Sequence, residues 1–174
     1  MISRAVHMGF TLIELLVTLS VASILLTMAA PNYRVFAQDN LLITQVNSFI
    51  SAMMLAKNEA IKRSGFATIC PSTNGTSCAG GTVWSNGWIV FADVDGNGTV
   101  DAGEEIIHVG SGLSGGNTLT SNGVRTRVTF AASGFSIGFF ATFSLCDSRG
   151  TSASRALVLN NQGRLRTEVG TGAC

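Results

Sequence analysis

The chain has 174 residues, of which 46% are hydrophobic and only 12% are charged. This composition excludes a disordered chain, a coiled-coil rod and a typical cytosolic helical protein, and it suggests that part of the chain does not lie in water. The net charge of +1 predicts no general affinity for polyanions. Charge is nevertheless unevenly distributed, because residues 93–105 carry five acids and no base, whereas residues 125–174 carry six arginines and two acids.

The N-terminal segment is the most informative part of the sequence. Residues 10–30 form an apolar run with one formal charge, Glu14. As a helix they would extend about 31 Å, roughly the hydrocarbon thickness of a bilayer. A secretory signal peptide removed near Ala30 and a plain membrane anchor are two alternative interpretations. A signal peptide does not usually carry such a carboxylate. A plain anchor leaves it unexplained, although an acid in a bilayer costs about 2.5–3.5 kcal/mol without a partner.

Residues 9–14, with the sequence GFTLIE, resemble the processing site of type IV prepilins and type II secretion pseudopilins. The resemblance implies that a prepilin peptidase cuts after Gly9 and that the new N-terminal Phe10 is methylated. It also implies that Glu14 lies near the terminal amine of a neighbouring subunit during assembly. That amine would supply the positive partner that a buried carboxylate needs. Pro31 lies where such pilins commonly have a helix-kinking proline.

An amphipathic pattern follows the apolar run. Apolar residues recur every seven positions in two adjacent rows, which are Phe36, Ile43 and Ile50, and Val46, Met53 and Ala60. Lysine and arginine at positions 62 and 63, followed by Gly65, indicate a helix C-terminus. The sequence therefore predicts one helix over residues 11–64.

Beyond Gly65 the pattern is typical of β-structure. β-branched and aromatic runs alternate with Gly, Asn and Ser. The predicted strands are residues 66–70, 88–93, 105–109, 125–131, 135–145, 156–159 and 164–169. Residues 160–163, NNQG, favour a hairpin turn between the last two strands.

Three internal motifs narrow the resemblance. Residues 59–63 (EAIKR), 69–72 (ICPS) and 87–91 (GWIVF) are similar to the H-type pseudopilin group, which includes minor type IV pilins of the FimT and FimU kind. The likeness covers nearly the whole chain and implies an α+β type IV pilin fold. In that fold a long N-terminal helix, transmembrane in its first half, packs on a C-terminal antiparallel β domain. The expected parts are a leader peptide (1–9), a transmembrane or filament-core helix (10–30), its amphipathic continuation (31–64) and a GspH/FimT-like β domain (65–174).

The four cysteines lie outside the apolar segment, and none forms a CxxC motif. Because an exported domain meets oxidising conditions, disulfides are expected, and four cysteines allow three pairings. We favour Cys70–Cys78 and Cys146–Cys174. Zinc is not expected, since the two histidines are His7, which leaves with the leader, and a lone His108.

Residues 93–104, DVDGNGTVDAGE, match the pattern of an EF-hand calcium loop. The candidate side-chain ligands are Asp93, Asp95, Asn97, Asp101 and Glu104. The flanking segments are predicted strands and not the helices of an EF-hand. The alternative is a polar hairpin turn in which Asp, Asn and Gly tolerate positive φ. Calcium is the one candidate cofactor. If the loop is only a polar turn, no cofactor is expected.

The arginines near the C-terminus are candidates for DNA binding. They are Arg164 and Arg166, then Arg149 and Arg155, and also Arg125 and Arg127. Arg164 and Arg166 are two residues apart, so on a strand they face the same way, and arginine forks suit phosphate oxygens. Their GRLR motif resembles that of FimT-like minor pilins linked to DNA uptake in natural transformation. The alternative is that these arginines are solvated or pair with acids of a neighbouring subunit.

No catalytic chemistry is predicted, because the mature chain has one histidine and the glycine-rich residues 112–116 lack the lysine of a phosphate-binding loop. The sequence favours a minor type IV pilin, held in the inner membrane by a single pass with its C-terminal domain in the periplasm. It would then join other major and minor pilins in a pilus at the cell surface and bind DNA non-specifically for uptake. The alternatives are a purely structural FimU-like minor pilin that primes assembly at the tip, and an H-type pseudopilin of a type II secretion system.

Overall fold

The computed structural model describes residues 10–123 and 125–174. Within these ranges the chain forms one long helix, eight strands and a single turn of 3-10 helix at Thr151–Ala153. The long helix is α1 (Leu12–Arg63), close to the predicted bounds. The strands are β1 (Ala67–Pro71), β2 (Gly87–Ala92), β3 (Ile106–Ser111), β4 (Thr118–Ser121), β5 (Val128–Phe130), β6 (Ala141–Cys146), β7 (Arg155–Leu159) and β8 (Leu165–Val169).

The strands form two antiparallel sheets of four strands each. The first sheet has the order β3-β2-β1-β5, and the second has the order β4-β6-β7-β8. The last strand, β8, is therefore an edge strand paired with β7 alone, and Arg166 lies opposite Val158 in this pairing. The chain divides into two compact units, the first ending at Gln38 and the second comprising Asp39–Cys174.

The first unit presents an apolar helix surface. Every side chain described between residues 10 and 37 is exposed, including Leu12 at 76% and Leu26 at 67%. Among the described residues, α1 is the one helix long and apolar enough to cross a membrane, by length and composition. Its start is capped by Thr11, whose Oγ1 accepts a hydrogen bond of 3.3 Å from the backbone amide of Glu14.

In the second unit, one face of α1 supplies part of the hydrophobic core. The predicted row of Val46, Met53 and Ala60 is buried, together with Leu42, Phe49 and Ala56. Of the other predicted row, Ile43 is 48% exposed and Ile50 is partly buried against the core. Phe49 is the centre of this face, with ring centroids of Trp84, Trp88 and Phe143 at 5.5, 5.1 and 5.0 Å in edge-on geometry.

Two predicted strands have different bounds in the structure. The strand predicted over residues 135–145 begins at Ala141, because Gly138 adopts a φ of +81° in a preceding turn. Ser136, also in the predicted strand, hydrogen bonds to the carbonyl groups of Asn160 and Asn161 instead of to a neighbouring strand. The strand predicted over residues 125–131 is reduced to Val128–Phe130. Thr118–Ser121 forms a further strand, which the sequence pattern did not indicate.

Two disulfides join the ends of loops to strands. They are Cys70–Cys78 and Cys146–Cys174, the two pairs favoured from the sequence. The first closes a polar loop after β1, and the second holds the C-terminal residue against the end of β6. The described residues contain no free cysteine.

Candidate functional site

The N-terminal end of α1 brings two of the predicted processing and assembly residues together. Phe10 is 83% exposed, and Glu14 lies in the first turn of the helix. A carboxylate here is favoured by the positive end of the helix dipole, so Glu14 also has a local role in starting the helix. Gly9 and the leader (1–9) lie outside the described residues.

Arg164 and Arg166 are the most exposed of the candidate DNA-binding arginines. They lie beside Val158 and Asn160 and with them line a pocket of about 340 Å³ on the outer side of the second sheet. The side chain of Arg166 is 66% exposed and forms an ion pair of 2.8 Å with Glu168. The side chain of Arg164 makes no hydrogen bond or ion pair with a described residue. This pair therefore presents cationic groups to solvent, with Glu168 offsetting one of them.

The predicted hairpin turn fixes the position of Arg164. The Asn160 side chain accepts a hydrogen bond of 2.9 Å from the backbone amide of Arg164, and Gly163 has a φ of +68°. A Cβ atom at Gly163 would lie 2.3 Å from the carbonyl oxygen of Gly134, so glycine is required here. Lys57 on α1 donates to the carbonyl of Gly163 at 3.0 Å, so a lysine contacts the turn that precedes Arg164. No sequence signal pointed to Lys57, because helical spacing does not show which turn a helix residue contacts.

Arg149 is engaged inside the second unit and does not face solvent freely. Its guanidinium contacts Asp147 at 2.7 Å and Asp39 at 2.9 Å. Burial opposes ionisation of Asp147, but the hydrogen bonds from Arg149 outweigh it and hold the pKa of that carboxyl below its usual value. The same bonds raise the pKa of Arg149. Arg149 therefore has a structural role, because it joins Asp39 at the start of the second unit to Asp147 at the end of β6.

Arg155 points away from the Arg164 and Arg166 pair. In β7 it lies on the same side as the buried Leu157 and Leu159, whereas Arg166 pairs with Val158 on the opposite face. Its Nη1 donates to the carbonyl of Ala153 at 2.7 Å. The sheet therefore separates Arg155 from the candidate surface.

Arg125 and Arg127 pack on aromatic rings. Arg125 lies over the ring of Phe140 at 5.1 Å and also donates to its carbonyl, and Arg127 lies 5.9 Å from the centroid of Phe139. The side chain of Arg127 also covers Gly98, where a Cβ atom would clash with it. Both arginines are half-buried. Of the six arginines, the structure thus places two together as exposed side chains, Arg164 just before β8 and Arg166 within it.

The acidic loop follows β2 and gathers three of the five calcium candidates. One carboxylate oxygen of each of Asp93, Asp95 and Glu104 lies within 4.8 Å of the others. Asp93 is fully buried, and its burial raises the pKa of the carboxyl, against the effect of hydrogen bonds from Thr68 and Gly98. The charges of Glu104 and Asp95 raise it further. Asp101 lies outside this group.

The side chain of Asn97 is hydrogen bonded to neighbouring residues of the loop. Its amide nitrogen donates to Asp95 at 2.8 Å and to Asp101 at 2.7 Å, and its side-chain oxygen accepts from the amide of Thr99 at 2.6 Å. The loop joins two strands, as the sequence predicted, and its internal hydrogen bonds also fit the alternative of a polar turn.

Two family models match the sequence. The model described as type II transport protein GspH matches residues 45–163, and the prokaryotic N-terminal methylation motif matches residues 9–30. No match to the sequence of a curated protein was found.

Solved structures show the same fold. The type IV minor pilin FimU of Pseudomonas aeruginosa is similar with a TM-score of 0.62 at 20% identity, over 78% of this chain and 93% of that chain. The minor pseudopilin EpsH from the type 2 secretion system of Vibrio cholerae is similar with a TM-score of 0.52 at 13% identity, over 74% of this chain and 96% of that chain. The type IV pilin fold expected from the sequence is therefore confirmed.

Proposed function

The chain belongs to the family of type II transport protein GspH, a family of structural pilin and pseudopilin subunits and not of enzymes, and on this premise we propose that it is a minor subunit of a type IV pilus. The observation that carries the proposal is the exposed apolar start of α1 with Glu14 as its one charge before residue 31, within a matched methylation motif. In this role prepilin peptidase cleaves after Gly9, Phe10 is methylated, and the first helix holds the subunit in the inner membrane before assembly with other pilins. The periplasm then contains the C-terminal domain.

The chemistry of Glu14 supports assembly through this helix. A carboxylate surrounded by apolar helices is costly unless a positive group lies beside it. Cleavage after Gly9 creates an α-amine at Phe10, and in a filament this amine comes from the neighbouring subunit. The ion pair between Glu14 and this amine therefore favours the axial offset of neighbouring helices that places the two groups side by side.

Replacement of Glu14 by glutamine tests this proposal, because glutamine keeps the shape of the side chain and removes its charge. In cells that carry the chain's own pilus system, we expect at least about tenfold fewer copies of Glu14→Gln per sheared filament, since a broken buried pair costs about 3–5 kcal/mol. Glu105→Gln is the matched control, an exposed acid of the second unit, and should be incorporated normally. Equal incorporation of both variants would refute the assembly role of Glu14. Loss of type II secretion with intact pili would instead identify the pseudopilin alternative.

A second function, DNA capture at the pilus surface, is favoured by the exposed Arg164 and Arg166 pair, which line one pocket. These two arginines, together with Lys57 at the turn before β8, would neutralise about three phosphates, which predicts a log–log salt slope near −2.7 on duplex DNA. Binding through phosphates would not depend on sequence. Arg149 and Arg155 are not required, because their guanidinium groups contact the protein itself.

DNA binding by the full chain in detergent micelles tests this second function. We would measure fluorescence anisotropy of labelled duplex DNA over a series of salt concentrations. Arg164→Gln/Arg166→Gln should reduce the salt slope by about 1.8, whereas Arg34→Gln/Lys62→Gln removes the same net charge elsewhere and should leave it nearly unchanged. Binding that is absent at low salt, or equally weakened by both double variants, would exclude capture by this strand. The chain would then remain a structural minor pilin, as in the FimU-like alternative.

A further inference from the structure

A buried carboxylate oxygen in the acidic loop lacks a partner. Asp93 is fully buried, and its Oδ2 accepts hydrogen bonds from Thr68 Oγ1 at 2.6 Å and from the Gly98 amide at 3.0 Å. Its Oδ1 is equally buried but accepts no hydrogen bond from a described residue. Buried polar atoms almost always have partners, and an unpaired charged oxygen is especially costly. A group absent from the protein chain is therefore expected at this oxygen.

The surroundings of Asp93 indicate that the missing group is a cation. Carboxylate oxygens of Asp95 and Glu104 lie within 4.8 Å of that of Asp93 and of one another. Two oxygens bound to one Ca²⁺ at 2.3–2.6 Å are at most about 5 Å apart, so the three carboxylates already lie within the span of one coordination sphere. An all-oxygen set of this charge suits a hard divalent cation.

We propose that the loop of residues 93–104 binds Ca²⁺ through the carboxylates of Asp93, Asp95 and Glu104. Calcium fits better than Mg²⁺, because Mg²⁺ requires a near-ideal octahedron and releases its waters reluctantly, whereas Ca²⁺ accepts irregular sets of six to eight oxygens. The carbonyl of Thr99 and the carboxylate of Asp101 are the next oxygens along the loop. The loop has the residue pattern of an EF-hand calcium loop but connects two strands. The proposal does not depend on the filament and DNA functions proposed above.

The packing of the loop sets the expected affinity. Its backbone is held by the amides of Val94 and Asp101, which donate to the Glu104 carboxylate at 2.6 and 3.1 Å. Against binding, Arg127 packs on Gly98 and places a positive charge near the loop. A partly formed site with a nearby cation is expected to bind Ca²⁺ with a Kd of about 10⁻⁴–10⁻³ M, the range of extracellular calcium modules.

Calorimetric titration of the full chain in detergent micelles, after removal of metal with a chelator, tests the site directly. We expect a single Ca²⁺ per chain in that affinity range, and 10 mM CaCl₂ should raise the Tm by about 4–10 °C. MgCl₂ at equal concentration controls for ionic strength and should give a much smaller shift. Absence of binding heat, or an equal shift with both salts, would overturn the proposal.

Two neighbouring acids provide the matched variants. Glu104→Gln should weaken Ca²⁺ binding at least about tenfold. Glu105→Gln is the control, because Glu105 is the next residue but forms an ion pair of 2.7 Å with Arg63 and does not belong to the three-carboxylate group. This variant should keep the Kd for Ca²⁺ within about twofold of the value for the unchanged protein. Asp95→Asn, at an exposed position, repeats the test if Glu104→Gln does not fold. Equal Kd values for the group variants and Glu105→Gln would refute the assignment.

Discussion

Replacement of Arg149 by glutamine should destabilise the Asp39–Cys174 unit instead of affecting a binding surface. Arg149 Nη2 contacts Asp147 Oδ2 at 2.7 Å and Asp39 Oδ1 at 2.9 Å, and its Nε also donates to Asp147 at 2.9 Å. The side chain of Asp147 is only 3% exposed. Glutamine cannot replace both contacts, so the carboxylate of Asp147 would lose its counter-charge while remaining buried.

The structure sets limits on the size of this effect. An exposed ion pair contributes about 0–1 kcal/mol, and breaking a fully buried pair costs about 3–5 kcal/mol. Arg149 is 23% exposed, and Asp147 keeps the hydrogen bond from the backbone amide of residue 149. We therefore expect a loss of about 2–3 kcal/mol in the free energy of unfolding, which lowers the Tm by roughly 6–12 °C for a unit of this size.

Thermal unfolding followed by circular dichroism gives the comparison. Arg164→Gln is the matched control, because the Arg164 side chain is exposed and its change should stay within about 0.5 kcal/mol. A Tm of Arg149→Gln equal to that of Arg164→Gln would refute the structural role assigned to Arg149. It would also return Arg149 to the set of candidate phosphate ligands.

Three further changes follow from the same packing. The destabilisation by Arg149→Gln should shrink as pH falls from about 5 to 2. The lowered pKa of Asp147 means that its ionised carboxylate stabilises the fold above the pKa of the unfolded chain, and this contribution is lost when the carboxylate is protonated. Thermal melts of both proteins at several pH values check this prediction. Cys146→Ala/Cys174→Ala should cost about 2–4 kcal/mol in unfolding free energy, since it opens a link across 28 residues. Phe49→Ala, at a ring 1% exposed among three aromatic rings, should cost about 3–5 kcal/mol in denaturant titration.

Features that depend on near neighbours in the chain were predicted well. The end of α1 follows from its last basic residues and from Gly65, and the structure ends the helix at Arg63. The NNQG turn was recognised because Asn and Gly tolerate the backbone angles that it needs, and Gly163 adopts a positive φ. Both features depend on a few consecutive residues.

Features that depend on distant contacts were predicted less well. Residues 135–140 have strand-like composition, yet Ser136 bonds to the β7–β8 turn, a partner that composition does not reveal. Three of the four residues of the short strand Thr118–Ser121 are polar, and the segment gains its strand conformation by pairing with β6. Likewise, two apolar rows on α1 were equally regular, and packing within the second unit decided that Met53 is buried and Ile43 stays exposed.

The candidate arginines show the same limit at the site. Spacing predicted that Arg164 and Arg166 lie on the same side of one strand. In the structure β8 begins at Leu165, so Arg164 lies just before it, and both side chains line the same pocket. Sequence could not show that Asp39, more than a hundred positions away, lies beside Arg149. Ion pairs between distant positions follow from the packed fold, so charge counts along the chain overestimate the free cationic surface.

The N-terminus of the mature chain tests the central claim most directly. Intact-mass and N-terminal peptide analysis of the protein from the membranes of cells that produce it should show a chain beginning at Phe10 with a methylated amine. A chain that still begins at Met1, or one cut near Ala30, would contradict assembly through the Phe10 and Glu14 helix start and with it the assignment as a pilus subunit.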